Sequence, residues 1–350
     1  MKRIYFLLAT MLFAFFAVNK TQAQTEKPAQ FTFFYPIGSS GHNSIDYSYK
    51  FSFNTIYGIN GGVNGAEIGG IGNIAKGSVN GFQLAGVFNL ATQNSSGAII
   101  SGVINSNQAM RGLALSGVAN IAKENADGVI ISGVINQSKT MKGLQLSTIN
   151  IASGNLNGAQ IGVVNFTKKG KGFQLGVVNV GENNGDSILP LGVLNIYKNG
   201  YYALELSTDE KLFTNLSYKM GVEKLYTIFR VGIGFRNSTQ FYSLGGGLGT
   251  FFNVGAINKI NVEALSIQFF ENDFKYIDDV LSQVNLSYQY EITDRLALKF
   301  GPTFNCFIKD RNKTKKNDAL RVPYSIFESK SDNHITSLWI GANAGLVIKL

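Results

Sequence analysis

The sequence is poor in the residues on which many common protein chemistries depend. Its 350 residues include one cysteine, Cys306, and two histidines, His42 and His334. One cysteine excludes an intramolecular disulfide framework, and two histidines argue against a histidine-based triad or a multi-histidine zinc site. Beyond the N-terminus, no apolar run approaches the roughly 20 residues of a membrane-spanning helix. The sequence therefore disfavours a disulfide scaffold, a helical membrane protein and the commonest hydrolase and metal sites.

The residue types that are abundant indicate a β protein. The chain has 40 glycines, 26 phenylalanines and 15 tyrosines, whereas charged residues make up only 15% of it. Disordered chains have the opposite composition, because they are rich in charge and poor in aromatic residues. The composition thus predicts an ordered, all-β chain that is rich in glycine and aromatic residues.

Residues 1–23 have the features of a secretory signal peptide. Lys2 and Arg3 precede an apolar run from Ile4 to Val18, and the small residue Ala23 ends a short polar stretch. This pattern predicts export and cleavage after Ala23, since the apolar run is short for a membrane anchor. The segment carries three of the 31 basic residues and none of the 22 acidic ones, so its removal lowers the net charge from +9 to +6. A nucleic-acid partner is not expected for such an exported chain.

Residues 65–199 contain nine copies of a short repeat. Each copy begins with an apolar residue, usually after a glycine, continues with an alternation of apolar and polar or small residues, and ends in asparagine. The leading glycines are 14 to 16 residues apart. The middle position is Gln or Glu in most copies but Ile99, Ala114 and Ile130 in three of them. The closing asparagines are Asn73, Asn89, Asn105, Asn120, Asn136, Asn150, Asn165, Asn179 and Asn195.

Two architectures fit this repeat, and the sequence favours a β-solenoid. In a solenoid each copy is one coil, and identical positions stack, so the asparagines would form a hydrogen-bonded column. The first five copies carry one extra residue near Gly70, Gly86, Gly102, Gly117 and Gly133. Bulges in consecutive copies can stack in a coil but fall at different heights in antiparallel neighbours. The alternative is one continuous large β-barrel, in which the alternation separates a lipid face from a lumen face.

From about residue 200 the repeat gives way to longer alternating segments. They run nine to thirteen residues in their clearest examples, which suits a tilted transmembrane strand of about 9–11 residues. We therefore predict an antiparallel outer-membrane-type β-barrel over 200–350, preceded by N-terminal strands or a cap over 24–64, where Tyr47 to Tyr57 alternates. The eight predicted barrel strands are 200–207, 212–222, 225–236, 240–252, 257–269, 282–292, 295–308 and 336–350.

The search for chemistry in the sequence identifies no catalytic, cofactor-binding or metal-binding residue. Cys306 alternates with apolar neighbours and is expected to face lipid, and the Gly245–Gly249 run lies in a strand with no helix after it. The segment from Lys309 to Asn333 is predicted to be a solvated loop, the alternative being a contact with lipopolysaccharide. Six inward charges are expected to pair inside a closed barrel rather than to line a pore: Lys219, Arg230, Arg236, Glu263, Glu291 and Lys299.

The repeat units of the form Gly-x-Gln-Leu-Gly-x-Val-Asn resemble those of the bacterial surface-repeat family of outer-membrane proteins. The resemblance includes the lead-in from Phe34 to Gly38, the segment from Leu204 to Glu210 and the run from Gly245 to Gly249. It covers most of the mature chain and implies a Gram-negative envelope location and no established enzymatic activity. No site residues of the family transfer to this chain. Two departures are the degenerate middle positions and the terminal Leu350, where many such barrels end in an aromatic residue.

These observations predict a non-enzymatic protein of the cell outer membrane, exported by its signal peptide and anchored by the C-terminal barrel. The repeats would present a β surface for adhesion or envelope structure. The alternative function is an outer-membrane pore or transport protein, which would follow from one continuous barrel. Lipid of the outer membrane is the expected partner, with a surface ligand or lipopolysaccharide as further candidates and no cofactor.

Overall fold

The computed structural model describes residues 25–182, 187–236, 239–271, 276–310 and 324–350. The predicted signal peptide over 1–23 lies outside these ranges. The chain divides into two compact units, Met1–Lys168 and Lys169–Leu350. Strands dominate both, with one short 3₁₀ helix at Gly41–Asp46. Within the described ranges, no helix has the length and apolar character needed to cross a lipid bilayer.

The repeats form a parallel β-solenoid of about ten turns, as predicted. Most coils contribute a longer first strand and a shorter second strand, joined by a bend. The strands are β1 (Thr25–Phe34), β2 (Ile37–Gly38), β3 (Tyr47–Asn60), β4 (Gly62–Gly69), β5 (Gly72–Ala75), β6 (Val79–Ala85), β7 (Phe88–Ala91), β8 (Ser95–Ser101), β9 (Ile104–Asn107), β10 (Met110–Ser116), β11 (Ala119–Ala122), β12 (Asn125–Ser132), β13 (Ile135–Leu146), β14 (Ile149–Ile161), β15 (Val164–Glu182) and β16 (Ser187–Lys198).

Equivalent positions of the repeat lie directly above one another in the solenoid. Gly65 of β4 pairs with Gly81 of β6, which in turn pairs with Gly97 of β8. These leading glycines have positive φ, and a Cβ at Gly81 would lie 2.0 Å from the carbonyl oxygen of Gly65. Glycine is therefore required here both by the backbone conformation and by the close approach of the coil below. Because all neighbouring repeat strands are parallel, the alternative of one continuous antiparallel barrel is wrong.

The segment before the repeats builds the start of the same solenoid. Strand β3 contains the predicted Tyr47–Tyr57 segment and pairs in parallel with β1 on one side and with β4 and β5 on the other. It thus supplies both strands of the first complete coil. The glycines at the extra position of the first five copies lie in the bends between the two strands of a coil. They are Gly70, Gly86, Gly102, Gly117 and Gly133.

The C-terminal strands close into an eight-stranded antiparallel barrel, as predicted. Each strand pairs with the next, and the first pairs with the last to close the cylinder. A short additional strand extends the sheet beside the last barrel strand. The strands are β17 (Tyr201–Asp209), β18 (Thr214–Val222), β19 (Leu225–Arg236), β20 (Thr239–Asn253), β21 (Asn258–Glu271), β22 (Tyr276–Glu291), β23 (Leu296–Asp310), β24 (Phe327–Lys330) and β25 (His334–Lys349).

The strand predicted over 212–222 begins two residues later than expected. Leu212 is fully buried, while Phe213 is 71% exposed, so the chain turns inward before β18 begins at Thr214. Alternation alone could not show this, because Leu212 is in phase with the outward set of β18. Of the predicted loop over Lys309–Asn333, residues 311–323 lie outside the described ranges.

Candidate functional site: the barrel interior and the solenoid surface

The two faces of the barrel wall differ sharply in polarity. Along β22, Val284 and Leu286 are exposed on the outer surface, while Asn285 and Ser287 between them are buried inside. The apolar outer surface continues around the wall. Exposed apolar residues of the outer surface include Leu204, Leu206, Leu216, Phe229, Val231, Leu244, Leu248, Leu298, Phe300, Phe304, Leu338, Ile340 and Ile348. The barrel therefore presents mainly apolar side chains outward, as a membrane barrel does. Its interior combines polar side chains with a buried hydrophobic cluster that includes Ile228, Leu265, Ile267, Phe269 and Trp339.

Charged side chains from four strands meet inside the barrel. Lys219 of β18 donates to Glu205 of β17 and to Glu263 of β21. Lys299 of β23 reaches the same two carboxylates, at 3.0 Å and 2.6 Å. All four side chains are at most 2% exposed. Strands β17 and β21 stand on opposite sides of the eight-stranded ring, so the two lysines connect opposite walls.

Polar neighbours complete this network, which we call the interior ion network (Glu205, Lys219, Arg230, Glu263 and Lys299). Arg230 Nη2 lies 3.5 Å from Glu205 Oε1, and its Nε and Nη1 donate to Ser217 and Gln283 at 2.9 Å and 3.1 Å. The Tyr226 hydroxyl donates to Glu263 at 2.8 Å. Each buried charge thus has both an opposite charge and hydrogen bonds, which offsets the desolvation that burial imposes.

One end of the barrel is closed by the connection between β17 and β18. Glu210 turns inward and accepts hydrogen bonds from Trp339 Nε1 at 2.6 Å, Asn305 Nδ2 at 3.0 Å and the Ala342 amide at 3.1 Å. The Lys211 ammonium lies 4.4 Å from the centroid of the Phe307 ring. Trp339 is 2% exposed. These contacts fill the mouth with side chains.

An aromatic cluster occupies the other end of the barrel. Tyr201, Tyr226 and Phe251 have ring centroids 4.7–5.1 Å apart. Lys259 stands over Phe251 and pairs with the carboxylate of Glu223 at 3.1 Å. The aromatic cluster also explains one glycine of the Gly245–Gly249 run. A Cβ at Gly249 would lie 2.4 Å from the Tyr226 ring, so the glycine makes room for that ring, and the run lies within β20 rather than in a phosphate-binding loop.

The interior of the solenoid is organised around the predicted asparagine column. Asn89 Nδ2 donates to Asn105 Oδ1 at 3.0 Å, and Asn105 donates in turn to Asn120 at 2.9 Å. The same step is repeated from Asn54 to Asn165, and all these side chains are fully buried. Most of them also donate to a backbone carbonyl, such as that of Leu115 at 2.7 Å. The column therefore fixes the stacking of consecutive coils.

A buried carboxylate lies at the start of the neighbouring glutamine column. Glu67 accepts hydrogen bonds from Ser52, Asn54, Asn60 and Gln83. Burial raises the pKa of the Glu67 carboxyl above its ordinary value, although all four hydrogen bonds act in the opposite direction. Two of the three copies without Gln or Glu at this position contribute to an apolar cluster, which consists of Met110, Ala114, Ala122, Ala126, Ile130, Met141, Ala152 and Leu156.

The outer surface of the solenoid is apolar along the bends. In six coils of the first unit the residue at the bend is aliphatic and 39–48% exposed. We call these residues the apolar edge: Ile71, Val87, Val103, Val118, Val134 and Val163. Thr148 holds the same place in the one remaining coil between them. On the strand faces, Leu84 and Leu146 near the edge and Val129 farther from it are also exposed. The solenoid thus has asparagine inside and valine outside, the reverse of an ordinary globular distribution.

The residues considered for chemistry in the sequence are dispersed. His42 is exposed beside Tyr35, and His334 is exposed at the start of β25. Cys306 is a free thiol on β23. Among the described residues, no group of three or more His, Cys, Asp or Glu side chains could hold a metal ion.

The prediction of paired inward charges is confirmed for four residues and needs one correction. Lys219, Arg230, Glu263 and Lys299 come together in the interior ion network. Glu291 pairs instead with Lys259 and Lys349 near the end of the barrel. The Arg236 side chain lies outside the described residues.

Sequence reasoning did not include Glu205 among the inward charges. Its position in the alternation indicates an inward side chain, because Glu205 lies between Leu204 and Leu206, which are both exposed on the outer wall. Glu210 was missed for a different reason: it follows the end of the strand, so alternation gives it no direction.

Comparison with known proteins adds no assignment. No protein-family model matches the chain, and no curated protein matches it.

Proposed function

We propose that the protein is a non-enzymatic outer-membrane protein whose barrel is an anchor and whose repeats present a β surface within the cell envelope. The observation that carries this proposal is the barrel, which is apolar outside and cross-linked by buried charges inside. An apolar outer surface suits lipid. A transport pore needs a polar passage, whereas here charged side chains tie opposite walls together.

Strand length and aromatic placement support a membrane-spanning barrel. The eight strands run from 9 to 16 residues, at or above the roughly 9–11 that a tilted transmembrane strand needs. Tyr288 and Tyr290 are exposed on the outer wall near the end of β22, beside the turn at 292–295. Exposed tyrosines at a barrel end are typical of the interface between membrane and water.

The connections between strands indicate an orientation. At the end where β17 begins and β25 ends, the connections are short, at 223–224, 254–257 and 292–295. The opposite end carries the longest connection, from 311 to 333. Outer-membrane barrels have short periplasmic turns and longer extracellular loops. The end at which β17 begins and β25 ends is then periplasmic.

This orientation favours a role in envelope structure over adhesion at the cell surface. Strand β16 ends at Lys198, and β17 begins at Tyr201, so the last repeat enters the barrel at its short-turn end. On that topology the last repeat lies on the periplasmic side of the membrane. A surface adhesin would need its repeats on the other side.

Cysteine labelling tests the orientation. In a Cys306→Ser background, Asn94→Cys places a thiol in an exposed turn of the solenoid, and Ser331→Cys places one beside β24 at the long-loop end. A membrane-impermeant maleimide should label the Ser331→Cys variant on intact cells, because the long-loop end is then extracellular. It should label the Asn94→Cys variant only after permeabilisation, because the repeats are then periplasmic. Labelling of Asn94→Cys on intact cells would instead establish surface display and favour adhesion.

A conductance measurement distinguishes a barrel that only anchors the protein from a barrel that forms a transport pore. The purified full chain, reconstituted in planar bilayers, should show no stable single-channel steps, because the interior ion network joins opposite walls of the barrel and a hydrophobic cluster is buried beside it. Discrete, voltage-stable openings of the wild-type protein would refute the anchor proposal and support the transport alternative.

A further inference from the structure

The residues of the apolar edge are 39–48% exposed in the part of the chain that the structure describes. In ordinary domains, polar residues occupy the most exposed positions of a bend, and contiguous apolar patches mark interaction sites. Here the six residues from Ile71 to Val163 repeat an exposed aliphatic side chain at the bend. Successive coils in a stack are about 4.8 Å apart, so the edge extends for about 29 Å. That pattern is too regular to be a set of isolated surface residues.

We propose that the apolar edge inserts into the hydrocarbon of a lipid leaflet, so that the solenoid is a membrane-associated element in addition to the barrel. This inference rests on the proposed function, since it takes the protein to reside in a membrane. The edge would contact lipid acyl chains through its own residues together with Leu84 and Leu146, which lie near it.

The hydrogen bonding of the bends is the main support for lipid. An ordinary turn exposes backbone groups that hydrocarbon cannot satisfy, and each such group is costly there. In this solenoid the bends bond to one another. The Val87 amide donates to the Ile71 carbonyl at 2.8 Å, and Val103, Val118 and Val134 each donate to the bend of the preceding coil at 2.9–3.1 Å. The bends therefore meet the condition for entering an apolar phase.

The composition of the edge favours lipid over a protein partner. Protein interfaces are typically anchored by Tyr, Trp or Arg, with polar groups that set orientation. The edge has aliphatic side chains in six of seven coils, with Thr148 as the exception. Lipid needs neither anchors nor orientation, and a plain aliphatic row is sufficient to bind it.

The distribution of charge agrees with a surface that rests on a membrane. The turns away from the bends carry Lys123, Lys139 and Lys168, all exposed, together with polar residues such as Asn94. Charged and polar side chains thus lie on the opposite side of each coil from the apolar edge. This is the amphipathic arrangement of an element that lies in the interface between membrane and water.

The test uses the full chain in lipid vesicles and an environment-sensitive fluorophore on single cysteines. In a Cys306→Ser background, reporters are placed at Val118→Cys on the edge, Asn94→Cys on the opposite side, and Leu286→Cys on the outer wall of the barrel. The vesicles contain lipids with a nitroxide quencher on the acyl chain. We expect the Val118 and Leu286 reporters to be quenched about twofold or more and the Asn94 reporter to be unaffected.

The three reporters separate failure of this inference from failure of the proposed function. Quenching at Leu286 without quenching at Val118 would overturn the lipid contact of the edge and leave the barrel anchor standing. Absence of quenching at Leu286 would overturn the proposed function itself. Protection at Val118 that depends on protein density in the vesicle, without lipid quenching, would show that a second copy covers the edge and would also overturn the inference.

A variant of the edge gives a second measurement, in which the contact surface is changed and the position of the label is kept. The triple substitution V103D/V118D/V134D replaces three side chains that are 39–47% exposed. We expect it to abolish lipid quenching of a reporter at Val87→Cys while the circular dichroism spectrum stays unchanged. Unchanged quenching in a folded triple variant would contradict the inference.

Discussion

Truncation of a single asparagine in the buried column should loosen several coils of the solenoid. Asn105 donates to Asn120 Oδ1 at 2.9 Å and to the Leu115 carbonyl at 2.7 Å, and it accepts from Asn89 at 3.0 Å. Asn105→Ala removes these three hydrogen bonds and a longer one, from Asn105 Nδ2 to the Ile99 carbonyl at 3.4 Å. It also leaves the Asn89 amide, the Leu115 carbonyl and the Asn120 amide oxygen without this partner. Water cannot reach these groups in the neighbouring coils without opening the stack.

The expected cost follows from those three bonds. A typical protein hydrogen bond contributes about 1 kcal/mol net, so the loss is about 3 kcal/mol, and stranded buried partners add to it. At 1.4 kcal/mol per factor of ten, 3 kcal/mol corresponds to roughly a 100-fold change in the opening equilibrium. In a repeat array the effect spreads by nearest-neighbour contacts, so it should be largest in the coils on either side of Asn105.

Hydrogen exchange measured by mass spectrometry is the appropriate assay, because it resolves individual coils in a chain with two units. Peptides covering residues 81–122 of the Asn105→Ala variant should exchange about 100-fold faster than those of the wild type. Asn80→Ala is the matched control, since Asn80 is exposed on β6 and lies outside the column. The reasoning is refuted if the two variants exchange alike.

Three further substitutions test other parts of the structure. Because burial raises the pKa of Glu67, the folded chain binds more protons than the unfolded chain above the ordinary carboxyl value, and wild-type stability falls there as pH rises. Glu67→Gln should therefore gain in melting temperature over wild type as the pH is raised, and a pH-independent difference would contradict this. Glu263→Ala leaves two buried lysines without this carboxylate and should cost about 3–5 kcal/mol in urea unfolding of the barrel; an unchanged midpoint would show that the network contributes little. Gly128→Ala places a Cβ 2.1 Å from the Gly112 carbonyl oxygen at a φ of 124° and should disrupt the solenoid in thermal melts, whereas Gly246→Ala, with its nearest neighbour at 3.8 Å, should be tolerated.

Much of the architecture can be predicted from the sequence. The repeat and the alternation are visible within short stretches of the chain, and yet they depend on how strands distant in sequence pack. A glycine and an asparagine at constant spacing imply stacking, since only stacked coils give each copy the same surroundings. The extra residue in the first five copies also indicates stacking, because it can recur only where consecutive bends lie above one another. Likewise, strict alternation from Leu296 onward separates the two faces of a barrel wall without any knowledge of its partners.

The parts that the sequence does not predict are those where the chain leaves a regular strand or where geometry selects partners. Leu212 has the phase of a lipid-facing residue but lies buried in the barrel mouth, because the 210–213 connection turns inward to bring Glu210 under Trp339. The choice of Glu263 rather than Glu291 as partner of Lys299 depends on strand stagger around the closed ring. Neither follows from spacing along the chain.

The in-register stacking of the coils makes the number of repeats an evolutionary variable. Removal of residues 97–111 would bring Gly112 onto Gly81 and Asn120 onto Asn89, each meeting the same type of neighbour that it has now. A duplication of the same segment would add a coil by the same logic. Recombination between DNA copies can therefore lengthen or shorten the array in whole coils, about 4.8 Å at a time, while the barrel that follows is unaltered. Relatives of this chain should then differ in repeat number more readily than in barrel strands.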